Sequence, residues 1–398
     1  ILAIVFLLAP ALSHATQFAV VGPRALGMGG ASVAAVNDST AVYWNPAALA
    51  DFKKFELRVP VSVGFHDHMD LKDKWDRINN INTLFNANDY AAITELDQLL
   101  TDLDKPNTGA DLDLSGGLLV SIPFSKSTIA VSALGLGYAG LYPTIDSLNR
   151  DTTAPTPPLY TLPPNSIVNN NSAVTGIGIF TVEPAVSFAT SLGETLFIGA
   201  NAKMIYASTF VNSVKMNQTD YSNFISDLNN SETRSNKGSV DAGILFAPTK
   251  SFSIGIVGRD LNSPSFPTQG FYAQKFGSDV TTVNRPGEIK LDPQVRSGIA
   301  WKPFSHLTIS ADYDITKNKT LTPGFEDQTA AVGAEFTLPK EIVSIRGGAY
   351  KNLADSNSNM VYTLGFGIRA FVLRVDLASA YDFDNREYQA SLDVALRF

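Results

Sequence analysis

Few residues in this sequence have the types and spacing that chemistry requires. It has four histidines and no cysteine, so disulfides, thiolate metal sites and cysteine nucleophiles are excluded. His66-Asp67-His68 could mimic a metal-binding pair. It lies where a predicted strand meets a loop, with no obvious further ligands, and a solvated rim is the favoured interpretation. We therefore predict no metal site, no cofactor and no catalytic residue.

Two carboxylate pairs, Asp111/Asp113 and Asp312/Asp314, lie on predicted strands, where alternate residues share a face. Such pairs could act as general acid and base, but charge that lines the lumen of a barrel explains them without a substrate. The run Gly27-Met28-Gly29-Gly30 follows no strand, which argues against phosphate binding. A formal net charge of −8 argues against a nucleic-acid partner. The prediction is a protein that is not an enzyme.

The dominant pattern is strict alternation of apolar and polar residues. In the first run, Phe55, Val59 and Val63 share one face, whereas Glu56 and Arg58 share the other. Runs of this length suit strands that cross a bilayer, which need about 9–11 residues. We count fourteen runs: 55–66, 111–122, 127–141, 180–188, 196–206, 239–246, 252–259, 289–301, 307–315, 332–338, 343–349, 360–368, 371–381 and 388–398.

Connections between these runs alternate between short and long. This asymmetry and an even strand number are typical of outer-membrane barrels, whereas a sandwich has no reason to place every long loop at one end. After Ala15 no run of about 18 apolar residues occurs, so no membrane-spanning helix is predicted. The predicted fold class is all-β, a transmembrane antiparallel β-barrel of about fourteen strands over residues 55–398.

The chain before the barrel divides into two parts. Residues 1–15 are apolar up to Leu12 and end in Ser13-His14-Ala15, typical of a signal peptide whose start is missing. A buried helix or strand start is the alternative. Residues 16–54 contain a glycine-rich segment, and Asp38 and Asn45-Pro46 offer helix starts. We predict a compact plug inside the lumen.

Two regions depart from the alternation. In Ser127–Leu141 the apolar parity changes beside glycines, which indicates either a bulge or kink or an ordinary glycine-bearing strand. Residues 67–110 show helical spacing and predict a helical hairpin inserted in the first outer loop. Its apolar stripe could receive a hydrophobic ligand or simply pack the two helices together. The candidate outer contacts are Leu71, Trp75, Ile93, Leu96 and Leu100.

The N-terminal segment contains a GMGGA run, then an acidic residue, then an aromatic residue before Asn-Pro-Ala. In these motifs it resembles the plug of the FadL-type outer-membrane transporter superfamily. Tyr43-Trp44 directly before Asn45 and the helical insertion look nearer its TraF-like conjugal-transfer and PorV-like relatives. The resemblance implies a lateral opening in the third strand and a terminal Phe398 read by the barrel assembly machinery. The implied plug or gate residues are Gly27, Gly29, Gly30, Asp38, Asn45, Pro46 and Ala47, and the implied opening is at Gly135, Gly137 and Gly140.

The function expected from this resemblance is passive uptake of hydrophobic small molecules, such as long-chain fatty acids, through a plugged barrel in the outer membrane of a Gram-negative bacterium. Expected partners are outer-membrane lipid, a hydrophobic ligand and the assembly machinery. The alternative is a barrel that transports nothing and serves envelope assembly, secretion or conjugation through envelope protein partners. An outer-membrane enzyme is a distant third hypothesis.

Overall fold

The computed structural model describes residues 13–14, 17–86, 91–105, 108–153, 166–216, 223–284, 286–383 and 387–398. Of the predicted signal peptide, only Ser13–His14 falls within these ranges, as a short strand parallel to Gly287–Lys290. The signal peptide therefore stays a prediction. None of the described helices is long and apolar enough to cross a membrane.

Fourteen antiparallel strands form a closed barrel, which confirms the predicted fold class. The last strand pairs with the first, Arg397 opposite Glu56 and Glu387 opposite His66. The strands are β1 (Glu56–Asp67), β2 (Ala110–Phe124), β3 (Ser127–Thr144), β4 (Ala173–Leu192), β5 (Leu196–Lys215), β6 (Thr233–Thr249), β7 (Phe252–Arg259), β8 (Gln294–Phe304), β9 (Leu307–Asp314), β10 (Thr329–Thr337), β11 (Val343–Asn352), β12 (Val361–Ala370), β13 (Leu373–Tyr381) and β14 (Glu387–Arg397).

The two faces of the wall are those that the alternation predicts. On β1, Val59, Val61 and Val63 point outward and are exposed, whereas Arg58 and Ser62 are buried inside. An apolar outer face suits lipid, and closure pairs the backbone groups that hydrocarbon would otherwise leave unsatisfied. We call the end with the long loops the outer end and the other the inner end.

The lumen holds a plug, and the outer end holds most of the remaining elements. The plug contains helices α1 (Pro23–Gly27) and α2 (Ala41–Trp44) and a 3₁₀ helix (Pro46–Ala50). The first outer loop contains α3 (Leu71–Asn86) and α4 (Ala91–Leu103), as predicted, and a later one contains α5 (Phe224–Asn230). The other short elements are Ile167–Asn169, Ser265–Thr268, Phe271–Phe276, Asp279–Asn284, Gly287–Lys290, Asn318–Lys319, Glu326–Asp327 and Pro339–Glu341.

Several strands are longer than their alternation predicts. The fourth run was predicted at 180–188, whereas β4 spans Ala173–Leu192. Its outer half carries inward-facing Ile177 and Ile179, which outer loops bury. Because apolar residues there occupy the inner face too, the alternation that marks a strand disappears.

Candidate functional site: the plug, its anchors and the apolar path

The plug glycines permit direct backbone contact with the wall. Gly29 (φ 68°) and Gly30 (φ 86°) both have the left-handed conformation that glycine tolerates. A Cβ at Gly29 would lie 2.7 Å from the carbonyl oxygen of Ala349, and one at Gly27 would lie 2.9 Å from Cα of Gly365. At Gly30 the nearest atom, on Arg296, is 4.0 Å away. Of these three glycines, Gly27 and Gly29 are therefore the ones that the wall restricts.

The wall also has inward-facing glycines where its backbone lies against the plug. A Cβ on any of them would collide with plug atoms. They are Gly199, Gly243, Gly255, Gly333, Gly348 and Gly365. This set was not predicted, although each member lies on the polar parity of its strand, which is a usable signal for a filled lumen.

Asn45 fixes the turn between the two short plug helices. Its side-chain oxygen accepts from the amide of Ala47 at 3.1 Å and caps the 3₁₀ helix, with Pro46 as first residue. The side-chain amide donates to the carbonyl oxygens of Val33 at 3.0 Å and, on the wall, Ile244 at 3.2 Å. Asn45 thus joins two plug segments to β6.

Asp38 is a charged anchor of the plug. Its carboxylate accepts from the amide of Thr40 at 2.9 Å and lies 3.7 Å from the guanidinium of Arg58 on β1. Burial would raise the pKa of Asp38, but the positive charges of Arg58 and Arg24 outweigh it and hold the pKa below its ordinary value. Asp38 is therefore ionised at neutral pH.

A second ion pair joins α1 to β10. Arg24 reaches Glu335 at 2.6 Å and also donates to the carbonyl oxygen of Ala35 at 2.9 Å. Glu335 is shared with Arg346 on β11 at 2.8 Å, and Arg346 continues to Asp376 on β13 at 2.8 Å. The alternation places the strand charges on the lumen face but cannot pair them with the plug, because Arg24 and Glu335 are hundreds of residues apart.

Both carboxylate pairs have structural partners. Asp111 accepts from the hydroxyl of Thr322 at 3.0 Å, and Asp113 lies 2.9 Å from Nε2 of His66. Asp312 accepts from the plug amides of Ser32 at 2.7 Å and Val33 at 2.8 Å. Asp314 binds Arg296, whose guanidinium stacks 4.1 Å from the ring centroid of Phe18 in the plug. These contacts support the interpretation as lumen-lining charge.

Of the two alternatives for β3, the structure shows the ordinary glycine-bearing strand, without a bulge. Its pairing with β2 and β4 is continuous, with the same residues inward throughout. The apolar parity changes because Leu134 and Leu136 face inward and pack against the plug, not because the strand bulges. A lateral opening at Gly135, Gly137 and Gly140 stays a prediction; the wall is paired there in this conformation.

An apolar pocket of about 200 Å³ nevertheless lies in the wall at Gly137. Gly178, Phe180 and α5 residue Leu228 line it, together with Tyr138. We call it the wall pocket. The absence of a side chain at Gly137 leaves room for the ring of Phe180, since a Cβ there would lie 3.1 Å from that ring.

The outer lumen contains an apolar cluster under the loops, which we call the outer cluster. Tyr138 packs against both this cluster and the hydrophobic core of the plug. The cluster consists of Tyr142, Ile177, Ile179, Ile205, Ala207, Val211, Phe266, Tyr272, Ile289, Leu291 and Leu321. At the inner end, a cavity of about 760 Å³ lies between plug residues Ala34–Asn37 and the turns of the wall.

The helical insertion packs its apolar stripe internally. Ile93, Leu96 and Leu100 are buried, at most 7 % exposed, so they are not the open ligand-contact surface that the sequence offered as one possibility. They fill the space between α3, α4 and the outer loops. Leu71 packs at the edge of that core, and Trp75 is half exposed.

His66 lies inside the barrel, so its interpretation as a solvated rim is wrong. It is 8 % exposed, with Nε2 2.9 Å from Asp113 and Nδ1 3.3 Å from Glu387. The ring of His68 stacks beside it at 6.4 Å. Glu387 was missed because the pairing of β1 with β14, which places it opposite His66, depends on how the barrel closes.

Comparison with known proteins agrees with this architecture. The family described as "F plasmid transfer operon, TraF, protein" matches residues 42–314, more than half of the chain. The chain belongs to this family. Comparison with curated protein sequences finds no significant match.

Solved structures share the fold. The toluene transporter TbuX of Ralstonia pickettii is similar with a TM-score of 0.59 and 12% identity, over 95% of this chain and 98% of that one. The CymD monoaromatic hydrocarbon channel is similar with a TM-score of 0.55 and 12% identity, over 96% of this chain and 98% of that one. A Pseudomonas aeruginosa FadL homologue is similar with a TM-score of 0.54 and 12% identity, over 96% of this chain and 99% of that one. This TraF-family chain therefore has the FadL-type fold.

Proposed function

We propose that this protein lies in the outer membrane of a Gram-negative bacterium and lets a hydrophobic small molecule cross passively, with the plug as its gate. The observation that carries the proposal is the position of Tyr138. It joins the outer cluster, the plug core and the wall pocket. A solute on this path stays among apolar side chains, which favours it by about 25 cal/mol per Å² of apolar surface kept from water.

The solute class follows from the lining of this path. Three aromatic residues of the outer cluster, Tyr142, Phe266 and Tyr272, offer flat apolar surfaces. The similar solved proteins include a toluene transporter and a monoaromatic hydrocarbon channel by name, which supports the same class here. We infer that a monoaromatic hydrocarbon or a long-chain fatty acid enters through the outer loops and leaves through the wall pocket. Outer-membrane lipid would then receive it.

Blocking the wall pocket tests this route. Ala139 points outward and lines the pocket, so Ala139→Trp fills it without touching the plug. Val131→Trp, on the same outward face of β3, is the matched control. In cells that depend on this protein, we expect Ala139→Trp to slow the initial uptake of labelled toluene or oleate several-fold, and Val131→Trp to leave it unchanged. Equal uptake with and without the protein, and no apolar ligand in the purified protein by mass spectrometry, would refute transport.

The alternative is a barrel that serves envelope assembly or conjugation and transports nothing. Membership of a family described by a plasmid transfer operon favours it, as does the continuous pairing of the wall at β3. Deletion of the gene distinguishes the two. A loss of mating frequency or of envelope complexes, with hydrocarbon uptake unchanged, would establish the alternative. TbuX is a transporter and CymD a channel by name, so the shared fold favours a function other than catalysis.

A further inference from the structure

A group of metal-ligating side chains lies at the outer end of the seam between β1 and β14. One ligand atom from each of His66, His68 and Glu387 lies within 4.8 Å of the other two. We propose that these three residues bind a divalent transition-metal ion, with Zn²⁺ as the ion that fits the donors best. This site is independent of any transported solute.

The spacing of two of the ligands already suits zinc. Bonds of about 2.0–2.1 Å in a tetrahedral arrangement place neighbouring ligand atoms about 3.4 Å apart. Nδ1 of His66 and Oε1 of Glu387 are 3.3 Å apart. His68 lies just beyond the strand, its backbone amide bonded to the carbonyl oxygen of Gly109 at 3.0 Å. One of its ring nitrogens lies within 4.8 Å of the ligand atoms of His66 and Glu387.

Both ligands on the seam are held from behind, as ligands of metal sites usually are. The second nitrogen of His66, Nε2, is 2.9 Å from the carboxylate of Asp113, which orients the ring and leaves Nδ1 to the ion. The second oxygen of Glu387, Oε2, accepts from the hydroxyl of Tyr350 at 3.3 Å. That hydroxyl in turn accepts from the side-chain amide of Gln389 at 2.8 Å. Such outer partners fix the tautomer and the orientation of the donors.

The surroundings have the charge and the space for a cation. His66, His68 and Glu387 line a cavity of about 80 Å³ above the plug, shared with Asp111 and Asp327. Arg296 also lines it but is committed to Asp314 at 2.8 Å. This volume holds several waters, since one needs about 10–15 Å³, so a fourth ligand can come from solvent. Two imidazoles and one carboxylate favour zinc over magnesium and calcium, which prefer all-oxygen sites.

The competing state is a protonated His66 held between Asp113 and Glu387 without a metal. A metal titration separates the two. The full-length protein is purified in detergent without a polyhistidine tag, stripped with EDTA and titrated with ZnCl₂ by calorimetry. We expect one saturable site per chain, unaffected by a large excess of MgCl₂ or CaCl₂, and a matching zinc content by elemental analysis.

Variants assign the ligands. His68→Ala and Glu387→Gln are each expected to weaken zinc binding at least tenfold, and Asp113→Asn by about 10–100-fold as an outer partner. His306→Ala, at the turn between β8 and β9, is the matched control and should bind zinc as the wild type does. Heat-dependent migration on gels checks that each variant is still a barrel. Absence of saturable binding, or equal affinity in His68→Ala, Glu387→Gln and wild type, would overturn the proposal.

Discussion

The plug should be more sensitive at Gly29 than at Gly30, although the two residues are adjacent and both have positive φ. Replacing either with alanine forces an L-residue into the left-handed region, at a cost of about 1–2 kcal/mol. At Gly30 the added Cβ has its nearest neighbour 4.0 Å away, so this cost is the whole effect. Gly30→Ala is therefore a matched control for the backbone strain alone.

At Gly29 the same Cβ also meets the wall. It would lie 2.7 Å from the carbonyl oxygen and 2.9 Å from the amide nitrogen of Ala349, which cannot rotate away because β11 is paired on both sides. Overpacking of this kind costs about 1–3 kcal/mol more. Since about 1.4 kcal/mol is a factor of ten, Gly29→Ala should release the plug about 5- to 150-fold more often than Gly30→Ala.

Trypsin cleavage at Arg24 measures this release. Arg24 is 5 % exposed and lies on α1, so cleavage after it requires the plug to leave its seat. When reseating is faster than cleavage, the rate follows the population of the open state. We expect cleavage of Gly29→Ala to exceed that of Gly30→Ala, while both remain heat-modifiable barrels on gels. Equal cleavage rates, or loss of the barrel with the plug still protected, would refute the reasoning.

Two further predictions concern the charged anchors of the plug. Arg24→Gln leaves Glu335 with Arg346 alone, and breaking the buried pair should cost about 3 kcal/mol. It should therefore speed chymotryptic cleavage at the buried plug residues Tyr43 and Trp44, whereas Arg234→Gln, in an exposed pair with Glu232, should change that cleavage little. Asp38 has a lowered pKa in the folded protein, so its contribution is complete above its unfolded value of 3.8 and is lost as the pH falls below it. The fluorescence of Trp44, with Trp75 and Trp301 replaced by Phe, should stay constant from pH 8 to about 5 and change below about pH 4; a transition centred near pH 6 would contradict this assignment.

The barrel was predictable because its signal is repeated in every strand. Alternation in fourteen runs, with the charge on one face, determines which residues point outward, and the structure confirms it on β1. The same rule misled at β3, where Leu134 and Leu136 occupy the inner face. A period-two pattern reports the polarity of two environments, so it fails wherever the lumen itself is apolar.

The plug was recognisable from its sequence motifs, but its contacts with the wall were not predictable. Asn45-Pro46 predicted a capped helix start, and the structure has Asn45 capping the 3₁₀ helix. The partners Glu335 and Gly365 are on strands about 300 residues later, and their proximity depends on strand register and barrel closure. For the same reason the proximity of Glu387 to His66 could not be predicted, because only the pairing of the first and last strands makes them neighbours.

The two sides of the plug are held by contacts of different kinds, which affects how it can open. Toward β10 and β11 it is joined through the buried pair of Arg24 and Glu335, whose rupture costs about 3 kcal/mol because Glu335 keeps Arg346. Toward β2 and β3 it is held by apolar packing and by neutral hydrogen bonds, such as Tyr138 to the carbonyl oxygen of Gln17 at 3.1 Å, worth about 1 kcal/mol each. Separation from β2 and β3 leaves no buried charge unpaired, so we expect the plug to separate first from these strands while Arg24 and Asp38 keep their partners. That is the side of the lumen where the wall pocket lies, so this movement exposes the proposed exit.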